Sequence, residues 1–127
     1  MLKISTEKAD IFFDGNCLVR IHIHKHADLE KEDIEAINVA KYALVKDKMH
    51  TVLFVPGTYA SISEEARKAS ASPEQNKNAY AKAILVSTIH QRLVGNFFIK
   101  FHRPPVPTFV FDNETKALEW LDKMSRQ

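Results

Sequence analysis

Three histidines at alternate positions, His22, His24 and His26, form the densest set of metal-ligating side chains in the chain. Alternate strand residues lie about 6.5–7 Å apart on one face, and a His-x-His pair so placed can grip zinc. No further ligand can be assigned to them, and a catalytic zinc takes three protein ligands held by supporting partners. The expected reading is therefore a partly solvated strand face with no metal and no cofactor. Cys17 is the only cysteine. A nucleophilic thiol needs a base and an electropositive setting, whereas the alternation Cys17, Val19, Ile21, Ile23 turns this one toward the core.

Hydroxyls gather at Thr58, Ser61 and Ser63, just after the apolar run Thr51–Val55 and the turn Pro56-Gly57. Open α/β sheets bind ligands at the carboxyl ends of their strands, so this segment is a candidate ligand contact. It is not a phosphate loop, because the spaced glycines and the lysine are missing. Ser61-Ile-Ser-Glu64 has capping-box spacing, which explains its serines better. Leu93, Phe97, Phe98 and Phe101 recur at helical spacing. Such a stripe is ordinarily core. With four phenylalanines in two adjacent elements it could also leave an apolar ligand surface between residues 90 and 102, or a peripheral lipid contact rimmed by Arg92, Lys100, His102 and Arg103. Pro104-Pro105-Val106-Pro107 fits a PxxP ligand but reads as a connector between core elements.

The elements that must position these residues follow from local pattern. Two strand-like runs flank Asp14-Gly15-Asn16, which predicts a β-hairpin. Asp28 is placed to cap a helix reaching about Lys46, with Ile34, Ile37, Ala40, Leu44 and Val45 inward. Thr51–Val55 and Ala83–Ser87 read as strands buried on both faces. Between them, Ser61 and Ser72-Pro73 open short helices in a small-residue stretch reaching Tyr80, expected to be the least stable part. A helix over 90–102, a strand at Thr108–Phe111 and a helix carrying Ala117, Leu118, Leu121 and Met124 complete the order ββαβαβαβα. Strand–helix–strand units make right-handed parallel crossovers. The predicted fold is α/β: a mixed, mostly parallel sheet of about five strands, with an N-terminal hairpin and helices packed against it.

Composition narrows the function classes. The chain has 127 residues, 45% of them apolar and 27% charged, which suits a single domain over residues 1–127. The net charge of +2 is spread out, without the dense basic stripe that a phosphate backbone requires, so no nucleic acid is expected. The longest apolar runs are far below the roughly 20 residues of a membrane span. A lone cysteine and the absence of a charged-then-apolar leader predict a cytoplasmic setting.

Ala83-Ile-Leu-Val, Asn96-Phe-Phe-Ile-Lys with Arg103-Pro104, and Phe111…Ala117-Leu-Glu-Trp-Leu121, set in this element order, resemble the STAS superfamily, and within it the small SpoIIAA-like branch of bacterial anti-sigma-factor-antagonist-like proteins. The resemblance implies a STAS-like α/β fold and a non-enzymatic regulatory domain acting through a protein partner, with a homodimer through helical surface. It also implies a serine at a helix start after a buried strand that serves as partner contact or phosphoacceptor, a role that falls on the segment of Thr58, Ser61 and Ser63. Here the aspartate-serine-small-glycine motif is replaced by Ala60-Ser-Ile-Ser-Glu-Glu65, whose glutamates would repel a phosphate. The element order also resembles a reduced CRAL-TRIO domain, which implies an apolar pocket near the 90–102 helix.

Overall fold

Alternation begins earlier than the hairpin: Leu2-Lys-Ile-Ser5 already has strand character, and in the computed structural model, which describes residues 1–127, it is the first strand. Strands β1 (Leu2–Ser5), β2 (Ala9–Phe13) and β3 (Leu18–Ile23) form an antiparallel meander, with Ile4 opposite Ile11 and Ile11 opposite Ile21. The β2–β3 turn is the predicted one. The Asp14 carboxylate accepts from the N–H groups of Asn16 and Cys17 at 2.8 Å and of Leu18 at 3.1 Å, and Gly15 takes φ +86°. Only a residue tolerant of positive φ fits there.

Three parallel crossovers follow. β3 pairs with β5 (His50–Val55), β5 with β7 (Ala79–Leu85), and β7 with β8 (Thr108–Phe111), giving the sheet order β1-β2-β3-β5-β7-β8. The sheet thus has six strands, one more than predicted, because β1 is an edge strand of only four residues that buries little and so carries a weak pattern. A separate parallel pair joins β4 (Asp28–Leu29) to β6 (Ser61–Ile62). Helices α1 (Lys31–Val45), α2 (Glu64–Ser70), α3 (Ile89–His102) and α4 (Glu114–Ser125) complete the fold, with a 3-10 turn at Glu74–Asn76. No helix is long and apolar enough to cross a membrane.

The small β4/β6 pair overturns two predicted caps. Asp28 is a strand residue, and α1 is capped instead by Glu30 and Asp33, whose carboxylate accepts from the Glu30 N–H at 2.8 Å and from the Lys8 ammonium at 2.8 Å. Ser61 lies in β6, where its hydroxyl donates to Asp28 at 2.6 Å, while Ser63 caps α2 by accepting from the Ala66 N–H at 3.1 Å. In both places an oxygen-bearing residue two positions upstream of the true cap mimicked it.

Two layers of helix cover the sheet. On one face α1 lies over the meander, where Ile34, Ile37, Ala40 and Val45 meet Ile11, Val19, Ile21, Ile23 and Val52. α3 lies on the same face at the opposite margin, with Gly95 so close to β8 that an added Cβ would stand 3.0 Å from Val110. On the other face α4 packs Ala117 and Leu121 against Leu53, Ala81 and Ala83. Because α1 and α3 sit at opposite margins, the middle strands β5 and β7 are roofed between them by α2. Its inward side chains are small: Ala66, Ala69 and Ser70. That roof is too thin to fill the space beneath it.

Candidate functional site

The space under α2 is a cavity of about 320 Å³ at the carboxyl ends of the parallel strands. Ile23 of β3, Phe54 of β5 and Lys82 and Ile84 of β7 contribute from the sheet; Val94, Gly95 and Phe98 form the α3 wall; Ile62 and Arg67 close the roof. Its basic lining residues are Arg67, Lys82 and His90, and no carboxylate lines it. Volume and composition match the small end of ligand sites, which are apolar with a few convergent polar groups.

Lys82 is the unusual member. In the run Ala79-Tyr-Ala-Lys-Ala-Ile-Leu85 the alanines face α4, so Lys82 falls on the opposite face beside Ile84. It is absent from the protein's ion pairs and side-chain hydrogen bonds. Burial alone lowers its ammonium to about 8, with no carboxylate near enough to oppose it. Lys82 also borders a smaller void of about 40 Å³ shared with Lys41, Asn38 and Gln75. Lys41, only 4% exposed, donates to the Gln75 carbonyl at 2.7 Å, and burial together with the charge of Lys82 lowers it to about 7. The buried Asn38 amide oxygen has no partner. Two lysines with no anion therefore share the smaller void, and Lys82 alone of the two also lines the larger cavity.

The loop from Pro56 to Ser63 forms the rim. Gly57 packs against the end of β3 so closely that a Cβ would lie 2.3 Å from the Ile23 carbonyl oxygen. Gln91 of α3 fixes this loop by donating to the Gly57 carbonyl at 3.3 Å. Thr58 is exposed, and its carbonyl accepts from the His26 N–H at 2.8 Å. Ser61 lines the cavity, whereas Ser63 is committed to its cap.

The four aromatic-helix candidates divide. Phe98 is buried against Ile84 and Val86, while Leu93, Phe97 and Phe101 are 64%, 44% and 63% exposed, in line with Ile89 at 78%. Successive helical residues are 100° apart, so a helix that turns Phe98 to the sheet must turn Phe97 aside. The predicted single inward face is thus two: one lining the cavity and one open. Arg67 lies over the Phe97 ring at 5.5 Å, and its Nη1 donates to the Ile62 carbonyl at 2.8 Å.

The histidine face does not converge. His22 packs edge-on against Phe12 at 5.5 Å, and His24 faces the Asp10 carboxylate at 3.4 Å. His26 lies beyond the strand at φ 65°, stacked on Tyr59 at 5.2 Å. The predicted alternation ends at Ile23, where the chain turns, and no group of three potential ligands in the fold could hold a metal. Cys17 is half-buried, its Sγ 4.0 Å from the Thr51 hydroxyl.

Residues 12–125 match the model of a family described as a domain of unknown function, DUF7793. The fold is similar to the crystal structure of an uncharacterized protein from the DUF3478 family with a SpoIIAA-like fold, from Shewanella loihica PV-4. The two are 16% identical, and the match covers 95% of this chain and 99% of that one with a TM-score of 0.62. No curated protein matches. The SpoIIAA-like architecture expected from the element order is the one observed.

Proposed function

We propose that this chain, which belongs to the DUF7793 family and has the SpoIIAA-like fold, is a STAS-like regulatory domain that acts by binding a small apolar ligand rather than by catalysis. The observation that carries this reading is the cavity of about 320 Å³ between α3 and the carboxyl ends of β3, β5 and β7. Open α/β sheets place their ligands at that end. The lining holds no carboxylate and no hydrogen-bonded serine–histidine or cysteine–histidine pair, so the walls offer shape and apolar surface more than acid–base chemistry.

Native mass spectrometry and thermal melts with decanol and decanoate test the reading. A one-to-one complex and a raised Tm are expected, and both should vanish in Val94→Trp and Ser70→Phe, which fill the cavity from different walls. Bare polypeptide with an unmoved Tm for both compounds would sink it.

A second reading, contact with another copy of the chain, rests on the open stripe Ile89, Leu93, Phe97 and Phe101. Stripes of this kind on an otherwise polar surface favour association. Sedimentation at rising concentration should show a dimer that Leu93→Ser with Phe101→Ser abolishes; a wild-type monomer throughout would exclude this contact.

A further inference from the structure

The ligand's polarity can be read from the floor of the same cavity, an inference that rests on the proposed ligand-binding role. Its apolar walls come from Ile23, Phe54, Ile84, Val94 and Phe98, and its charged groups are all cationic or ionisable to cations. Lys82 stands on the floor with no carboxylate partner and no hydrogen bond, and Lys41 approaches from the adjoining void. Lys82 is half-buried; a charge drawn even partly out of water is costly unless it is paired, and folded chains satisfy such groups with a counter-ion from the protein or from a ligand. Here the protein supplies none. Asn38 strengthens the case. It makes no side-chain hydrogen bond, its amide oxygen is buried and unpartnered, and it borders the void that Lys82 borders. Lys82, Lys41 and Asn38 together are one polar end without an occupant group, and the walls above them are one apolar end.

We propose that the cavity binds a single-chain amphipathic carboxylate, its tail lying along α3 and its carboxylate meeting the Lys82 ammonium at the floor. A neutral amphiphile would leave the ammonium as unpaired as it is without ligand. A dianionic phosphate would bring more charge than Lys82 alone balances at the floor, since Arg67 is held at the roof by its bond to the Ile62 carbonyl. The size agrees: about 320 Å³ is at the lower bound of ligand pockets, enough for one acyl chain and too little for two.

Calorimetric titration of the full chain with decanoate, decanol and decyl phosphate, on wild type, Lys82→Met and Lys82→Arg, tests this. A hydrogen bond to a charged group implies that wild type binds decanoate about 10–100-fold more tightly than decanol. Lys82→Met should lose that preference while still binding decanol, which shows that its pocket is intact. Lys82→Arg should keep part of it. If wild type binds decanoate and decanol equally, the head-group assignment is overturned and the apolar-ligand reading stands. If decyl phosphate binds more tightly than decanoate, the carboxylate assignment is wrong. If none of the three binds, both readings fail.

Discussion

Lys82→Met should make the protein more stable while disabling its discrimination between charged and neutral ligands. The ammonium falls from an ordinary 10.5 to about 8 in the fold. At 1.36 kcal/mol per pKa unit, that difference corresponds to about 3 kcal/mol by which the charged lysine opposes folding near neutral pH. Part of this is already relieved, since Lys82 borders open cavity rather than sealed core, and water there screens the charge. A gain of about 1–2 kcal/mol for methionine, which has similar length and no charge, is the working figure. For a chain of this size it would raise the Tm by roughly 3–8 °C.

The pH dependence gives the sharper check. A lysine whose pKa is lowered in the fold binds fewer protons there than in the unfolded chain between about 8 and 10.5. Stability therefore rises with pH across that window. Below it the full penalty is present in wild type and absent in the methionine variant. Urea melts at pH 7 and pH 10 should show the variant ahead at the lower pH and the gap nearly closed at the higher. A variant less stable than wild type at pH 7, or a gap that does not change with pH, would refute the account of Lys82 as an unpaired, half-buried charge.

His50, fully buried in β5, donates through Nδ1 to the Lys48 carbonyl at 3.0 Å and leaves Nε2 without a partner; burial lowers it to about 4. Its neutral form supports the fold above about 6.5, and that support is lost as pH falls through 4. His50→Phe should flatten the acid limb of a stability–pH curve by about 2 kcal/mol, read from urea melts between pH 7 and pH 4. Gly57→Ala would press a methyl group onto the Ile23 and His24 carbonyls at 2.3 and 2.5 Å. A loss of about 2 kcal/mol or more is expected in the same melts, and a neutral result would show that the rim loop moves freely. Ser63→Ala removes the α2 cap and should cost about 1 kcal/mol. Ser61→Ala removes only an exposed bond to Asp28 and should cost less, an order that chemical denaturation of the pair can check.

The strands with unambiguous pattern were readable because their faces are chemically consistent. The Asp14-Gly15-Asn16 turn, Thr51–Val55 and Thr108–Phe111 each have residue types that agree with their neighbours, and each forms the predicted element. Reading failed where a local signal competed with a distant one. Asp28 and Ser61 are good caps by type, but each meets the other across β4 and β6, a pairing between residues 33 positions apart that no short window displays. In α3 the spacing of the apolar residues was correct and their abundance misled: a helix against one sheet can bury one stripe, so the excess of phenylalanine had to face outward.

The cavity was hidden for a related reason, and the reason bears on what the protein does. A lysine inside Ala-Tyr-Ala-Lys-Ala-Ile-Leu looks like the end of a strand, so the predicted strand began at Ala83, one residue too late to include Lys82. In the fold that lysine occupies the middle of β7, where a chain built for stability alone would carry valine or isoleucine. Likewise α2 roofs the central strands with alanine and serine where larger side chains would close the gap. Each departure costs stability separately, and each is locally removable by a single substitution. That both border one cavity, which opens toward the strand ends where α/β folds receive ligands, is what a binding site requires and what a core optimised only for packing would not contain. The two substitutions that fill these gaps, Lys82→Met and Ser70→Phe, should therefore part company in their ligands while agreeing in their stability: the first retains decanol and loses the preference for decanoate, the second loses both. If Ser70→Phe still binds either compound one-to-one, the ligand sits elsewhere, and the shared position of the small roof and the unpaired lysine has no bearing on binding.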